Sequence, residues 1–126
     1  MAGLLKVTAV ISLLWALLLV GFKELAIPAA ELTPLVRALA NGLGTASAAL
    51  AFLFWYAASD PPAHRDAIYT AILLQLGKAV NDVYEVLRLL PPDQAVVSLV
   101  DLFVSVALLA GLLEALPRTL AGARRE

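Results

Sequence analysis

Residues 67–90, AIYTAILLQLGKAVNDVYEVLRLL, are long enough to cross a bilayer as a helix, yet they carry Gln75, Lys78, Asn81, Asp82, Glu85 and Arg88. At about 100° per residue, these side chains fall within one arc of about 140°. The opposite arc holds Ile72, Leu73, Leu76, Ala79, Val80, Val83 and Leu87, with nothing polar on it. The stretch reads as a helix with one face for lipid and one for charge. In a membrane such a stripe has to be buried against protein or line a water-filled cavity.

Composition supplies the membrane context. Of 126 residues, 62% are hydrophobic and 15% charged, against roughly 25% charged in a typical globular domain. Mean hydropathy is +0.90. A soluble protein of this size could not cover its surface with so few polar groups. The length suits one domain, residues 1–126. A net charge of −1 gives no field to steer the chain toward nucleic acid, so no nucleic-acid partner is expected. The absence of cysteine excludes disulfides, iron–sulfur clusters, thiolate metal sites and cysteine nucleophiles. With His64 as the sole histidine, bis-histidine haem and multi-histidine metal sites are excluded within one subunit. Asp82 and Glu85 lie one turn apart, but two carboxylates without a third ligand make a poor cation site. No cofactor and no metal are expected.

Hydropathy and prolines predict an all-α fold, a four-helix transmembrane bundle with up-down-up-down order and short connections. The helices are expected at about 4–22, 35–59, 64–90 and 94–116, with a basic tail over 117–126. The first could be mistaken for a signal peptide. It is long for one, and Lys23 and Glu24 stand where small neutral residues should lead to a cleavage site. It therefore reads as a retained crossing, with Lys6 snorkelling to the interface. Thr8, Ser12 and Trp15 form its weakly polar stripe, Trp15 reading as a packing or interface residue. After the connection KELAIPAAELTP, Thr33 suits an N-cap and Pro34 a first turn.

The second helix has no charge over 38–59 and repeats small residues four apart: Ala38/Gly42, Ala40/Gly44/Ala48 and Ser47/Ala51. That spacing lets helices approach closely in lipid. Phe52, Phe54, Trp55 and Tyr56 crowd one end, as an aromatic belt would. Asp60-Pro61-Pro62 is expected to stop this helix and cap the next, beside an exposed His64. Pro91-Pro92 ends the third helix and Pro117 the fourth, which carries Gln94, Ser98, Asp101 and Ser105 on a narrow stripe. Ser98 and Ser105 have no histidine to activate them and are expected to bond the carbonyl four residues back.

Four crossings put both termini on one side. Lys6, Arg65, Arg118, Arg124 and Arg125 would share it, with Lys23, Arg37 and Arg88 opposite, so a multi-pass cell-membrane protein with cytoplasmic termini is expected. Counting depth from each turn along antiparallel neighbours brings Arg37, Asn41, Asp82, Glu85 and Asp101 to one layer, in the non-cytoplasmic half. Lys78 sits one turn deeper. Lys78 with Asp82, and Asn81 with Glu85, are spaced to pair along the helix. Arg37, Asn41, Gln75, Lys78, Asn81, Asp82, Glu85 and Asp101 are thus the ligand or proton-relay candidates. Two readings stand: a structural network that docks the helices, or a polar pocket for a ligand, an ion or a proton.

The size, the retained first helix and a polar third helix followed by a proline-containing turn resemble small four-helix membrane families, above all the DoxX-like group. The likeness is of hydropathy and length over the whole chain, and no family residue is carried over. Small multidrug exporters share the helix number, but their working carboxylate lies in the first helix, where this chain has no acid.

The expected function is that of a non-enzymatic membrane subunit or a bundle binding a lipid- or quinone-like small molecule. Its partners would be the lipid bilayer and a second copy or a larger membrane complex. The alternative is a proton- or ion-coupled small transporter acting as an oligomer, with Lys78, Asp82, Glu85 and Asp101 as the relay. An intramembrane enzyme would need an activated partner for Asp82 or Glu85, which the sequence does not offer.

Overall fold

The computed structural model describes residues 1–89 and 95–122. The protein is all-helical, with no strand among the described residues. Its α-helices are α1 (Ala2–Gly21), α2 (Lys23–Ala26), α3 (Pro34–Ala57), α4 (Arg65–Tyr84) and α5 (Ala95–Gly122). A 3-10 turn, Ala29–Glu31, lies in the first long connection, and a π-helical turn, Glu85–Leu89, extends α4. Among the described residues, three helices are long and apolar enough to cross a membrane: α1, α3 and the Val96–Ala121 part of α5. The stripe on α4 keeps that helix out of this group, although its 20 residues match α1 in length.

The helix ends follow local chemistry. Thr33 caps α3, its hydroxyl accepting from the Val36 N–H at 3.2 Å, and Pro34 occupies the first turn. There a missing N–H costs nothing, because no intrahelical acceptor awaits it. Asp60 does not cap α4. Its carboxylate accepts from the Ala63 N–H at 3.4 Å within the turn, and His64 takes the N-cap position without a side-chain cap bond. The fourth helix does not stop at Pro117 but runs through it to Gly122. Proline removes its own N–H and crowds the carbonyl four residues back, which kinks a helix without always ending it. Beyond it, the Thr119 hydroxyl donates to the Ala115 carbonyl at 3.0 Å. The Pro91-Pro92 stop, Gln94, Arg124 and Arg125 lie outside the described residues, as does the side chain of Arg88.

The long helices form two antiparallel hairpins, α1 against α3 and α4 against α5. Small residues bring the first pair together: Ala9, Ser12 and Ala16 on α1, and Ala40, Gly44 and Ala51 on α3, are buried. Gly44 is the tightest point. A Cβ there would lie 2.6 Å from Val20 Cγ2 and 3.2 Å from the Ala16 carbonyl oxygen, whereas one on Gly42 would meet nothing. Of the expected small-residue rows, Ala40/Gly44/Ala48 and Ser47/Ala51 each put a buried residue on this seam, whereas Ala38/Gly42 is exposed and takes no part in it.

The two hairpins meet at one end. Leu5, Ala9, Phe54, Ala57, Ala58, Ala67, Ile68, Ala71 and Leu112 form an apolar cluster there, drawing on all four long helices and the α3–α4 turn. The outer surface is apolar too, with Leu14, Leu17, Phe52 and Phe103 exposed. In water such a surface would be an aggregation liability; facing lipid it needs no cover.

Candidate functional site

The buried face of α4 runs Ala67, Ile68, Ala71, Gln75, Ala79 and Asp82. Its first half belongs to the apolar cluster. From Gln75 onward the face turns polar, and there a cavity of about 590 Å³ lies between the hairpins. Its walls come from all four long helices: Ile11, Ser12, Trp15 and Leu19 of α1, Leu43 and Ser47 of α3, Leu73, Leu74, Gln75, Gly77, Lys78, Asn81 and Asp82 of α4 with Glu85 just beyond it, and Val97, Ser98 and Asp101 of α5.

An ion pair spans the second hairpin inside this cavity. The Lys78 ammonium donates to Asp101 Oδ1 at 2.8 Å, with the side chains 21% and 13% exposed. Trp15 reaches the same oxygen from α1, its indole N–H donating at 3.4 Å, while its ring lies 5.4 Å from the Lys78 nitrogen. An ammonium at that distance from an indole face is attracted to it as well as to the carboxylate. Glu85 is met on both oxygens, by the Asn81 amide at 2.7 Å and the Ser98 hydroxyl at 2.8 Å. Two groups remain unmet. Gln75 is 1% exposed and Asp82 5%, yet Gln75 Oε1 and Asp82 Oδ2 have no hydrogen-bond partner among the described residues.

Six of the eight expected candidates thus line one cavity: Gln75, Lys78, Asn81, Asp82, Glu85 and Asp101. The expected Asn81–Glu85 pairing along the helix is present. Lys78 differs, bonding Asp101 across the hairpin rather than Asp82 one turn on. Arg37 and Asn41 stand elsewhere. Arg37 donates to Glu24 at 3.2 Å and to the Leu32 carbonyl at 3.3 Å, and Asn41 accepts from Lys23 at 2.8 Å. Counting residues fixes depth but not the direction a side chain faces, and the charged connection between α1 and α3 offers these two nearer partners.

Trp15 and Ser98 join the site against expectation. Trp15 could have been found from the Thr8/Ser12/Trp15 stripe, since an indole N–H in an apolar helix wants an acceptor. Ser98 bonds Glu85 because a carboxylate is a better acceptor than a helix carbonyl that already has a donor. The back-bond expected of serine is made instead by Thr8, Thr45, Thr70 and Thr119, each to the carbonyl four residues earlier. The Ser105 hydroxyl is fully buried and has no partner among the described residues. Among the described residues no three metal-binding side chains converge.

Compared with known protein families, curated protein sequences and solved structures, the chain matches none. The functional reading therefore rests on this cavity.

Proposed function

We propose that the chain is a multi-pass membrane protein, a four-helix bundle with cytoplasmic termini, whose cavity holds a lipid-like, amphipathic small molecule without turning it over. What carries the reading is a cavity of about 590 Å³ in which two buried side-chain oxygens lack partners. The volume falls in the range of about 300–1,000 Å³ usual for small-molecule sites. The mixture of leucine walls and a polar end suits a molecule that is itself amphipathic. A buried acceptor without a partner is destabilising, and a ligand donor would relieve it.

Insertion of α4 as a fourth crossing is part of the proposal. Its outward face is apolar, with Leu76, Val80 and Val83 exposed, while its charges turn toward the other helices. Lys6, Arg65 and Arg118 at one end, against Lys23 and Arg37 at the other, support cytoplasmic termini.

Native mass spectrometry of protein extracted from its own membrane in mild detergent tests the ligand reading. A co-purifying amphipathic molecule, lost when Lys78 is replaced by Met and Asp82 by Leu, is the expected result. Protein that carries nothing from its own membrane would overturn it. The Lys78–Asp101 pair inside the cavity favours a second reading, proton-coupled transport by an oligomer. That reading requires flux in proteoliposomes under a pH gradient that the Lys78→Met variant abolishes.

A further inference from the structure

Among the described residues the polar end of the cavity is not neutral: three carboxylates, Asp82, Glu85 and Asp101, line it against one ammonium, Lys78. Lys78 is already committed to Asp101, and both Glu85 oxygens accept hydrogen bonds from neutral donors. Asp82 is left with an oxygen that nothing among the described residues meets. On the same face of α4, about two helical turns nearer the apolar cluster, Gln75 presents a second unmet oxygen. Both unmet atoms are acceptors, so the ligand's polar part has to supply donors.

We propose that the cavity selects an amphipathic amine, its protonated amino group received by Asp82 and its apolar part by the leucine walls. This rests on the reading of the cavity as a ligand site and names the chemical class that fills it. A quinone carbonyl or a lipid phosphate brings further acceptors to a place that already has too many. An alcohol supplies a donor but leaves the carboxylate uncompensated. A quaternary ammonium balances the charge but has no N–H to give. A primary ammonium does both, with three donors on one cation. Buried carboxylates call for such compensation, because charge taken out of water is tolerated only when paired and hydrogen-bonded.

The two tryptophans allow a direct test. Trp15 lines the cavity while Trp55 is exposed on α3, so Trp55→Phe leaves Trp15 as the sole tryptophan. That variant, in neutral-lipid nanodiscs, is titrated with dodecylamine, dodecanol and decylubiquinone while Trp15 emission is read. The Trp15→Phe protein, reporting from Trp55, shows any change caused by partition into the bilayer alone. Dodecylamine is expected to saturate Trp15 and to bind about tenfold more tightly than dodecanol, the worth of one charge-assisted hydrogen bond. Asp82→Asn is expected to erase that preference, bringing dodecylamine and dodecanol to equal affinity. Equal binding of amine and alcohol, or a preference that survives Asp82→Asn, overturns the amine assignment. Saturable binding of the quinone but not the amine would do so too and leave the cavity reading standing. If none of the three saturates Trp15, both fall together. The comparison of head groups on unaltered Asp82 holds even where the Asn variant folds poorly.

Discussion

The buried face of α4 meets two different surroundings. Over Ala67, Ile68 and Ala71 it is packed against Leu5, Phe54, Ala57 and Leu112, and the two hairpins touch without a gap. Over Gln75, Lys78 and Asp82 it borders a cavity. One helix, one face and the same spacing give opposite results because side-chain size and polarity change along it. Alanines and an isoleucine let backbones close together. Charged groups need room for their partners and keep the walls apart. Among the described residues, the Trp15–Asp101 bond is the only side-chain hydrogen bond between the hairpins. Fold stability is therefore expected to reside mainly in the apolar end, and ligand selection in the polar one.

Phe54 carries the largest expected effect. It is fully buried in the apolar cluster, and Phe54→Ala is expected to cost about 3 kcal/mol, the low end for such a truncation because lipid is as apolar as the vacated site. Unfolding in mixed micelles of rising dodecyl sulfate content, followed by circular dichroism, measures it. An effect smaller than that of any cavity substitution would reverse the assignment of the two ends. Lys78→Met comes next. It strands Asp101 with a single long bond to Trp15, and the partial exposure of the pair brings the expected loss to about 2 kcal/mol, below that of a fully buried pair. Lys78→Met combined with Asp101→Leu is expected to recover most of that loss, since removing both charges leaves nothing unpaired. A double variant no better than the single one would show that the pair itself holds the hairpin.

Gly44 and Gly42 give a smaller contrast on α3. A methyl at Gly44 meets Val20 and the Ala16 carbonyl, so Gly44→Ala is expected to destabilise by about 1 kcal/mol as α1 gives way. At Gly42 there is open space, and Ala is expected to stabilise by about 0.5 kcal/mol through helix propensity alone. The same micelle titration distinguishes them. Equal responses would mean that α1 does not rest on Gly44.

The stripe on α4 was legible because periodicity is local: the helix itself determines that Gln75, Lys78, Asp82 and Glu85 share a side. The long apolar helices and the Thr33–Pro34 cap were legible for the same reason. Partner choice was not. Whether Lys78 bonds Asp82 on its own helix or Asp101 on the next depends on how α5 is turned, and a single sequence carries no record of that rotation. Arg37 and Asn41 were counted to the same layer as Asp82, but they bond Glu24, Leu32 and Lys23 around the connection instead. Pro117 read as a stop because proline is usually one, yet the helix continues with its next turn bonded by Thr119.

The smallest expected effect belongs to the charges outside the cavity. Arg37 and Glu24 pair at 3.2 Å with their side chains 49% and 55% exposed, and exposed pairs contribute little because water and salt screen them. Arg37→Gln is expected to unfold with the wild type within error and to leave amine binding untouched; a loss of binding would restore Arg37 to the site. The pair should still register in the titration of Glu24. Its carboxyl is held below its ordinary value first by a backbone hydrogen bond and then by the bond and charge of Arg37. A lowered carboxylate favours the folded state above its unfolded pKa, and that contribution fades as pH falls through the folded value. Carbon-13 chemical shifts of Glu24 against pH are expected to move part of the way back toward the ordinary value in Arg37→Gln, the backbone bond retaining the rest. A complete return would mean that Arg37, not the backbone, is the main cause.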